Sequence, residues 1–312
     1  KVKYGYKSCS LIEQDLGFKL EWPISKENKL SIIIPTKDNL QVLKSCINSI
    51  SKYSSLNNYE IILVNNNSQE STTLSFFREF IKESSTSKIH KLLHFKEDFN
   101  YSKINNFAVN HSQGSVILFL NNDVEFLKKG WDIDLMSNAL RDDIGFVGIK
   151  LLYPNFTIQH SGILLGGDKV AYHPFSSVPE KKLLDNKQVK ITQEFSAVTG
   201  ACMAISMEKW KLLKGMDEEK LKVCYNDVDI CLRARSIGLK NIYLPYVRAI
   251  HHESKSRGRP TGKDYKQIIN EKRTLKKRWL EIIHNDPYII GDNFSLINSG
   301  IFGLKANNIK IR

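Results

Sequence analysis

From residue 30 to residue 121 the chain alternates short apolar runs with amphipathic stretches. Leu30 to Pro35 is a β-branched run stopped by proline, and Leu40, Leu43, Ile47 and Ile50 then recur at helical spacing. The pattern repeats. Glu60 to Val64 is an apolar run closed by Asn65-Asn66-Asn67-Ser68, a helical stretch follows over 72–81, and Leu92 to Phe95 is a third candidate strand. Residues 102–111 predict a helix with Ile104, Phe107 and Ala108 on one side, feeding the run Ser115-Val116-Ile117-Leu118-Phe119-Leu120. Strands joined by crossover helices imply a parallel sheet. Such a sheet collects its strand ends on one edge, so Thr36, Asn65 and Asn121 should meet where open α/β sheets keep their ligands.

Chemistry-bearing residues concentrate at two places. The fourth apolar run empties into Asn121-Asn122-Asp123-Val124-Glu125, which reads either as a turn, since Asn and Asp side chains bond to nearby backbone, or as a carboxylate placed to hold a divalent ion against a diphosphate. The second place is Asn226-Asp227-Val228-Asp229, opening a helix that Gly238 closes. There Asn226 suits an N-cap, and Asp227 falls in the first turn, where the helix dipole favours an ionised carboxylate. Asp227 and Asp229 stand ~200° apart around a helix axis, so one faces a cleft and the other supports it. A strand at Ile242-Tyr243-Leu244-Pro245 then leads to His251-His252-Glu253-Ser254. A histidine there is either a satisfied polar residue or a partner for carboxylate oxygen around Mn²⁺.

Composition narrows the setting. A chain of 312 residues with 41% apolar and 25% charged residues can bury a substantial core. One main domain is expected over 29–260, with an aperiodic N-terminal extension over 1–28 and a helical extension over 261–312. The start at Lys1 suggests a linker from a longer chain with further domains. Five scattered cysteines without a C-x-x-C pair fit a reducing, cytoplasmic setting. A net charge of +13 points to an anionic partner, whether nucleic acid, membrane headgroups or phosphorylated small molecules. No interleaved basic and aromatic patch supports nucleic acid. No run approaches the ~18 apolar residues of a membrane span. Neither G-x-x-x-x-G-K-[ST] nor G-x-G-x-x-G is present, so a diphosphate would be neutralised by a bridging cation with Lys or Arg.

Taken in order, these segments resemble glycosyltransferase family 2, inverting nucleotide-sugar transferases of the GT-A fold, from about Lys29 to Arg257. Leu30 to Thr36 is similar to the family's opening strand and Glu60 to Ser68 to its second; Asn106 precedes the fourth strand; Asn121-Asn122-Asp123 stands in place of D-x-D; Gly200-Ala201-Cys202 resembles the segment bordering the acceptor; Asn226-Asp227-Val228-Asp229 matches the E-D motif. The resemblance implies a Rossmann-like, doubly wound, mostly parallel sheet with helices on both faces. It implies Asp227 as catalytic base, and Asp123 with His251 around Mn²⁺ or Mg²⁺. Donor contacts would come from Pro35, Thr36, Asp38, Asn65, Lys103, Asn106, Asn121, Asn122 and Asp123. Thr199, Gly200, Ala201 and Asp229 would border the acceptor, and Lys255 and Arg257 would close over the phosphates.

Three departures carry consequences. Asn121 replaces the first aspartate of D-x-D, which shifts metal binding onto Asp123 and gives Asn121 an amide contact with ribose or phosphate. Asn65 stands where relatives use an aspartate to read uracil, leaving UDP- and dTDP-linked sugars open. Leu275-Lys276-Lys277-Arg278-Trp279 lacks the leading Gln of Q-x-x-R-W, which argues against a processive synthase. The implied role is transfer to a glycan or lipid-linked acceptor in bacterial O-antigen or capsule synthesis, at the inner face of the cytoplasmic membrane. The basic stretch from Lys263 to Ile283 either touches headgroups peripherally or packs on the domain with a solvated face. A relative that binds sugar nucleotides without catalysis is the alternative, and a nucleic-acid module the more distant one.

Overall fold

The computed structural model describes residues 9–14, 17–84, 88–167, 169–184, 186–253 and 262–289. A hairpin of β1 (Ser10–Gln14) and β2 (Gly17–Glu21) leads into β3 (Leu30–Thr36), α1 (Leu40–Tyr53), β4 (Tyr59–Asn65), α2 (Ser71–Lys82), β5 (Lys88–His94), α3 (Tyr101–Val109) and β6 (Val116–Leu120). The chain continues through β7 (Val124–Phe126), α4 (Trp131–Ala139), β8 (Ile144–Leu152), β9 (Ile158–His160), β10 (Leu164–Gly166) and β11 (Val170–Tyr172). A 3-10 turn (Glu180–Leu183) and α5 (Lys187–Lys190) precede β12 (Gln193–Phe195), β13 (Cys202–Ser206), α6 (Met207–Leu213), α7 (Asn226–Ser236), β14 (Lys240–His251), α8 (Gly262–Arg278) and α9 (Leu280–His284).

The main sheet runs β12-β14-β8-β13-β6-β3-β4-β5, with β7 on β14 and β9 on β8. β3 pairs in parallel with β4 and β6, β4 with β5, and β8 with β14. As the apolar runs imply, Thr36 and Asn65 lie side by side at one edge, and β6 ends there too. Four strands run against these: β12 and β7 against β14, β9 against β8, and β13. β13 is antiparallel to both β6 and β8. After β8 reaches the ligand edge, the chain wanders across that edge and re-enters the sheet from it. Among the described residues no crossover helix carries it back, and β13 descends beside β6 with Cys202 opposite Leu120.

Both sheet faces are buried, which explains runs that are apolar rather than alternating. Leu30, Ile32 and Ile34 pack with Leu43, Ile47 and Ile50 of α1 and with Trp131 and Leu135 of α4. Ile33, Ile117 and Phe119 face the other way, onto Ile104 and Ala108 of α3, Trp210 of α6 and Ile230 of α7. The doubly wound arrangement is thus complete.

Both extensions are docked. Within 1–28, the hairpin reaches α4 through a Lys19–Asp134 ion pair, and the Arg141 guanidinium lies 4.8 Å over the Trp22 ring. In the C-terminal extension, Leu275 of α8 and Ile283 of α9 are buried in the second layer, while Lys266, Arg273, Lys276 and Lys277 face solvent. Residues 290–312 of that extension lie outside the described residues.

Candidate active site

A cleft of about 770 Å³ opens along the ligand edge of the sheet. Its floor follows the strand order: Asn66 beyond β4, Pro35 and Thr36 on β3, Asn121, Asn122 and Asp123 beyond β6, Gly200 and Ala201 before β13, and His251 at the end of β14. The β7–β14 pairing sets His251 opposite Val124, and the His252 amide donates to the Asp123 carbonyl at 3.0 Å. Asp123 and His251, 128 residues apart in sequence, therefore meet. His251 Nε2 lies 3.1 Å from Asp123 Oδ1, and both side chains are almost fully buried.

The histidine's proton is placed by its other partner. Gln159 Oε1 lies 2.6 Å from His251 Nδ1, and Gln159 Nε2 donates to Glu253 Oε2 at 3.2 Å, which fixes the amide's orientation. An amide oxygen only accepts, so Nδ1 donates, and in the neutral ring Nε2 then presents its lone pair toward the Asp123 carboxylate. At that distance the pair is matched either by a proton on Nε2 or by a cation shared between the two atoms. A carboxylate oxygen with an imidazole nitrogen suits Mn²⁺ better than Mg²⁺, which takes hard oxygen ligands. Among the described residues no group of three His, Cys, Asp or Glu side chains gathers in ligating arrangement, so further ligands would be substrate or water oxygens. Asn121 Nδ2 lies 3.3 Å from His251 Nε2, so its amide attends the histidine, whereas Asn122 Nδ2 donates to Thr36 Oγ1 at 3.1 Å and ties β6 to β3.

Asp227 occupies the same cleft at the start of α7. The helix is capped not by Asn226 but by Tyr225, which takes the left-handed conformation (φ 60°), so Asn226 is the first helical residue. Asp227 Oδ1 accepts from the Val228 amide at 2.8 Å and Oδ2 from the Gly200 amide at 2.9 Å. Gly200 is held in turn, its carbonyl accepting from Tyr101 Oη at 2.7 Å. The protein around Asp227 pushes its carboxyl above the ordinary aspartate range, and the amides of Gly200 and Val228 oppose that shift. The result is an ionisable, oriented base candidate.

Several nominated residues sit elsewhere. Asp229 does not border the cleft: it is fully buried, with Oδ2 accepting from Arg233 Nε at 3.0 Å and Oδ1 from Arg278 Nη1 at 3.0 Å and Trp279 Nε1 at 2.9 Å. The helical angle that separates it from Asp227 turns it onto α8 and α9. Asn106 faces the opposite way from the cleft, because α3 turns it onto the loop after α6. Its Nδ2 donates to the Met216 carbonyl at 2.9 Å and Glu218 Oε2 at 2.8 Å, while Oδ1 accepts from the Met216 amide at 2.9 Å. Gly215 beside it has φ +75°, and a Cβ there would lie 2.7 Å from Asn106 Oδ1. Lys103 is drawn off by Glu97 at 2.6 Å. Asn65 Oδ1 accepts from the Ser68 amide at 2.9 Å, and Asp38 Oδ1 accepts from the Gln69 and Glu70 amides at 2.7 and 2.9 Å. Both shape the loops beside the β3–β4 end of the cleft without lining it. Lys255 and Arg257 lie outside the described residues.

Other lining residues escaped the sequence reading. Lys37, Asn66, Phe99, Tyr101 and His173 line the cleft, and Asp264 and Gln267 of α8 join them. Asn66 follows Asn65 directly; its Nδ2 holds the Phe95 and Glu97 carbonyls at 3.1 and 2.9 Å. The basic helix α8 is therefore a wall of the site. Its buried Glu271 accepts from the Lys222, Val223 and Cys224 amides at 3.1, 3.3 and 2.5 Å, fastening the loop that leads to Tyr225.

The fold is the GT-A fold, with the cleft at its strand edge. The model for glycosyl transferase family 2 matches residues 31–208, more than half of the chain, and the chain belongs to that family. It is 34% identical over 243 residues to the O-antigen biosynthesis protein RfbC of Myxococcus xanthus, and 35% identical over 272 residues to the uncharacterized protein y4gI of Sinorhizobium fredii. Those matches take in 78% and 87% of this chain but only 19% and 30% of the relatives' lengths. In fold it is similar to GalNAc-T7 with UDP, GalNAc and Mn²⁺, at TM-score 0.65 and 16% identity, over 91% of this chain and 55% of that one. It is also similar to Staphylococcus aureus TarS 1–349 in complex with UDP-GlcNAc, at TM-score 0.55 and 15% identity, over 89% and 76% of the two chains. Among the described residues no helix is long and apolar enough to cross a membrane.

Proposed function

We propose that the chain is a metal-dependent, inverting, non-processive hexosyl- or rhamnosyltransferase. Its donor is a UDP- or dTDP-linked sugar and its acceptor a hydroxyl of a glycan or lipid-linked oligosaccharide. The observation that supports this reading best is one cleft holding both the Asp123–His251 pair and Asp227, the latter oriented by the Gly200 and Val228 amides.

In this reading Asp227 takes the proton from the acceptor hydroxyl as its oxygen bonds to the anomeric carbon, and the bond from that carbon to the diphosphate oxygen breaks on the opposite face. General-base assistance of this kind is typically worth roughly 10²–10⁴ in rate. Asp123 and His251 would hold Mn²⁺ or Mg²⁺, which when bound stabilises the growing charge of the leaving diphosphate. Pro35, Thr36 and Asn66 would carry the nucleoside, and Thr199, Gly200 and Ala201 would border the acceptor. Lys255 and Arg257 are assigned to the phosphates by resemblance alone.

Likeness to RfbC supports a place in O-antigen synthesis, and capsule synthesis is the other setting of the same reading. We assign the chain to the cytoplasmic side of the membrane. There the outer face of α8, with Lys266, Arg273, Lys276 and Lys277, would meet anionic headgroups at about 1 kcal/mol per well-placed cation. The test is a donor panel of UDP and dTDP sugars with Mn²⁺, read first by thermal shift and then by transfer with the product anomer determined. Stabilisation by one donor and an inverted product support the assignment. A retained anomer, or binding without turnover on any hydroxyl acceptor, overturns it. Sedimentation with anionic liposomes at low salt decides the membrane contact.

A further inference from the structure

Gln159, His160 and Ser161 are consecutive, and each secures something at the cleft. Gln159 sets His251, as described. His160 Nδ1 lies 3.0 Å from His173 Nδ1, and Ser161 Oγ donates to the Pro174 carbonyl at 2.7 Å, pinning the chain just past His173. His160 is fully buried, whereas His173 lines the cleft and is open to it.

Two imidazole nitrogens at hydrogen-bond distance need one proton between them. If His173 supplied it, the proton of neutral His160 would sit on Nε2, a buried atom with no partner among the described residues. An orphaned buried N–H costs about 1–3 kcal/mol and is rarer than an under-used acceptor. The cheaper arrangement has His160 donating from Nδ1. His173 then accepts at Nδ1 and carries its own proton on Nε2. No described residue takes a hydrogen bond from that Nε2, so a directed N–H remains for whatever enters the cleft.

We propose that His173 is a fixed, uncharged hydrogen-bond donor to an oxygen of the transferred sugar, and that His160 is the positioning residue that sets its tautomer. The proposal rests on the nucleotide-sugar reading above and adds a specificity contact to it. The place along the cleft argues for the sugar. The nucleoside end lies over β3 and β4, Asp123 follows β6, and His160 is carried by β9, which pairs with β8 on the far side of β13. In this pairing both rings are neutral, so the N–H is donated without charge. An uncharged donor orients a hydroxyl or carbonyl oxygen without repelling a cation at Asp123 and His251.

Long-range ¹H–¹⁵N spectra of the full chain at neutral pH should show His173 protonated at Nε2 and His160 at Nδ1; the reverse pair of tautomers overturns the proposal. Binding is then measured with Mn²⁺ for UDP and dTDP and for their glucose, galactose, N-acetylglucosamine and rhamnose conjugates. His173→Phe should bind the preferred conjugate about tenfold or more weakly, and raise its KM, while binding the bare nucleotide as the parent does. His173→Gln, which restores an N–H, should recover part of the loss. Undiminished binding of the conjugate by His173→Phe overturns the contact, with bare-nucleotide binding as proof of an intact cleft. A parent protein that binds neither nucleotide overturns the transferase reading and this contact with it.

Discussion

The Gly200 amide donates to Asp227 Oδ2 at 2.9 Å, so the candidate base is aimed by a peptide group 27 residues before it. The carbonyl of the same residue, in the next peptide group, accepts from Tyr101 Oη at 2.7 Å. Three elements, α3, the β13 approach and α7, thus converge on one carboxylate.

Asp227→Asn is expected to lower turnover by roughly 10²–10⁴ while leaving nucleotide affinity within about twofold, as measured by steady-state kinetics beside titration calorimetry. The amide of Asn must also set its NH₂ against either the Gly200 or the Val228 N–H, so the variant is no better oriented than it is basic. Parental turnover in this variant would place the base elsewhere.

The pH profile follows from the same environment. The active form is ionised and the carboxyl is raised above 3.8, so activity should rise with pH along an acid limb that lies above the ordinary aspartate range. For folding the sign is the reverse of the usual aspartate. The raised value contributes stability below pH 3.8 that is lost as pH rises through the folded value. A kcat profile whose acid limb lies at or below the ordinary aspartate range contradicts this assignment.

Tyr101→Phe removes the hydroxyl that holds Gly200 while keeping the ring. The expected result is about 1 kcal/mol of lost stability by urea denaturation, with kcat falling more than KM rises. Equal effects on both constants would mean that the hydroxyl touches substrate rather than orienting the base.

Much of this site was legible from residue order. The runs ending at Thr36, Asn65 and Asn121 announced a common edge because parallel strands must end together, and the helical angle between Asp227 and Asp229 announced that only one would face it. Which of two adjacent amides enters the cleft was not legible: Asn65 and Asn66 differ only in how the chain leaves β4. Asn106 was misplaced because its partners, Met216 and Glu218, lie 110 and 112 residues away. His173 and Gln159 sit in an aperiodic segment that crosses the edge, where no spacing rule applies. The antiparallel β13 was missed for the same reason, since its direction is set by where the preceding excursion ends. Helix α8 carried a visible charge pattern, but its role as cleft wall depends on Glu271 reaching back to residues 222–224.

Asp229→Ala should destabilise the fold by about 3–5 kcal/mol, because it strands Arg278 and the Trp279 N–H beside a buried site. Urea denaturation checks this. A loss below about 1 kcal/mol would show that α8 and α9 do not depend on the carboxylate.

Gln159→Leu removes the partner that puts the His251 lone pair toward Asp123. Mn²⁺ affinity, followed by electron paramagnetic resonance in the presence of UDP, should weaken about 10–100-fold. Unchanged affinity would show that His251 needs no such orientation, or takes no part in metal binding.

The most direct measurement is a crystal of the chain grown with Mn²⁺ and UDP, with data collected at the manganese absorption edge. The account predicts an anomalous peak bonded to both Asp123 Oδ1 and His251 Nε2 and shared with the diphosphate, with Asp227 facing the same cleft. A nucleotide bound with its manganese held by other residues, those two side chains left as a bare pair, would contradict it.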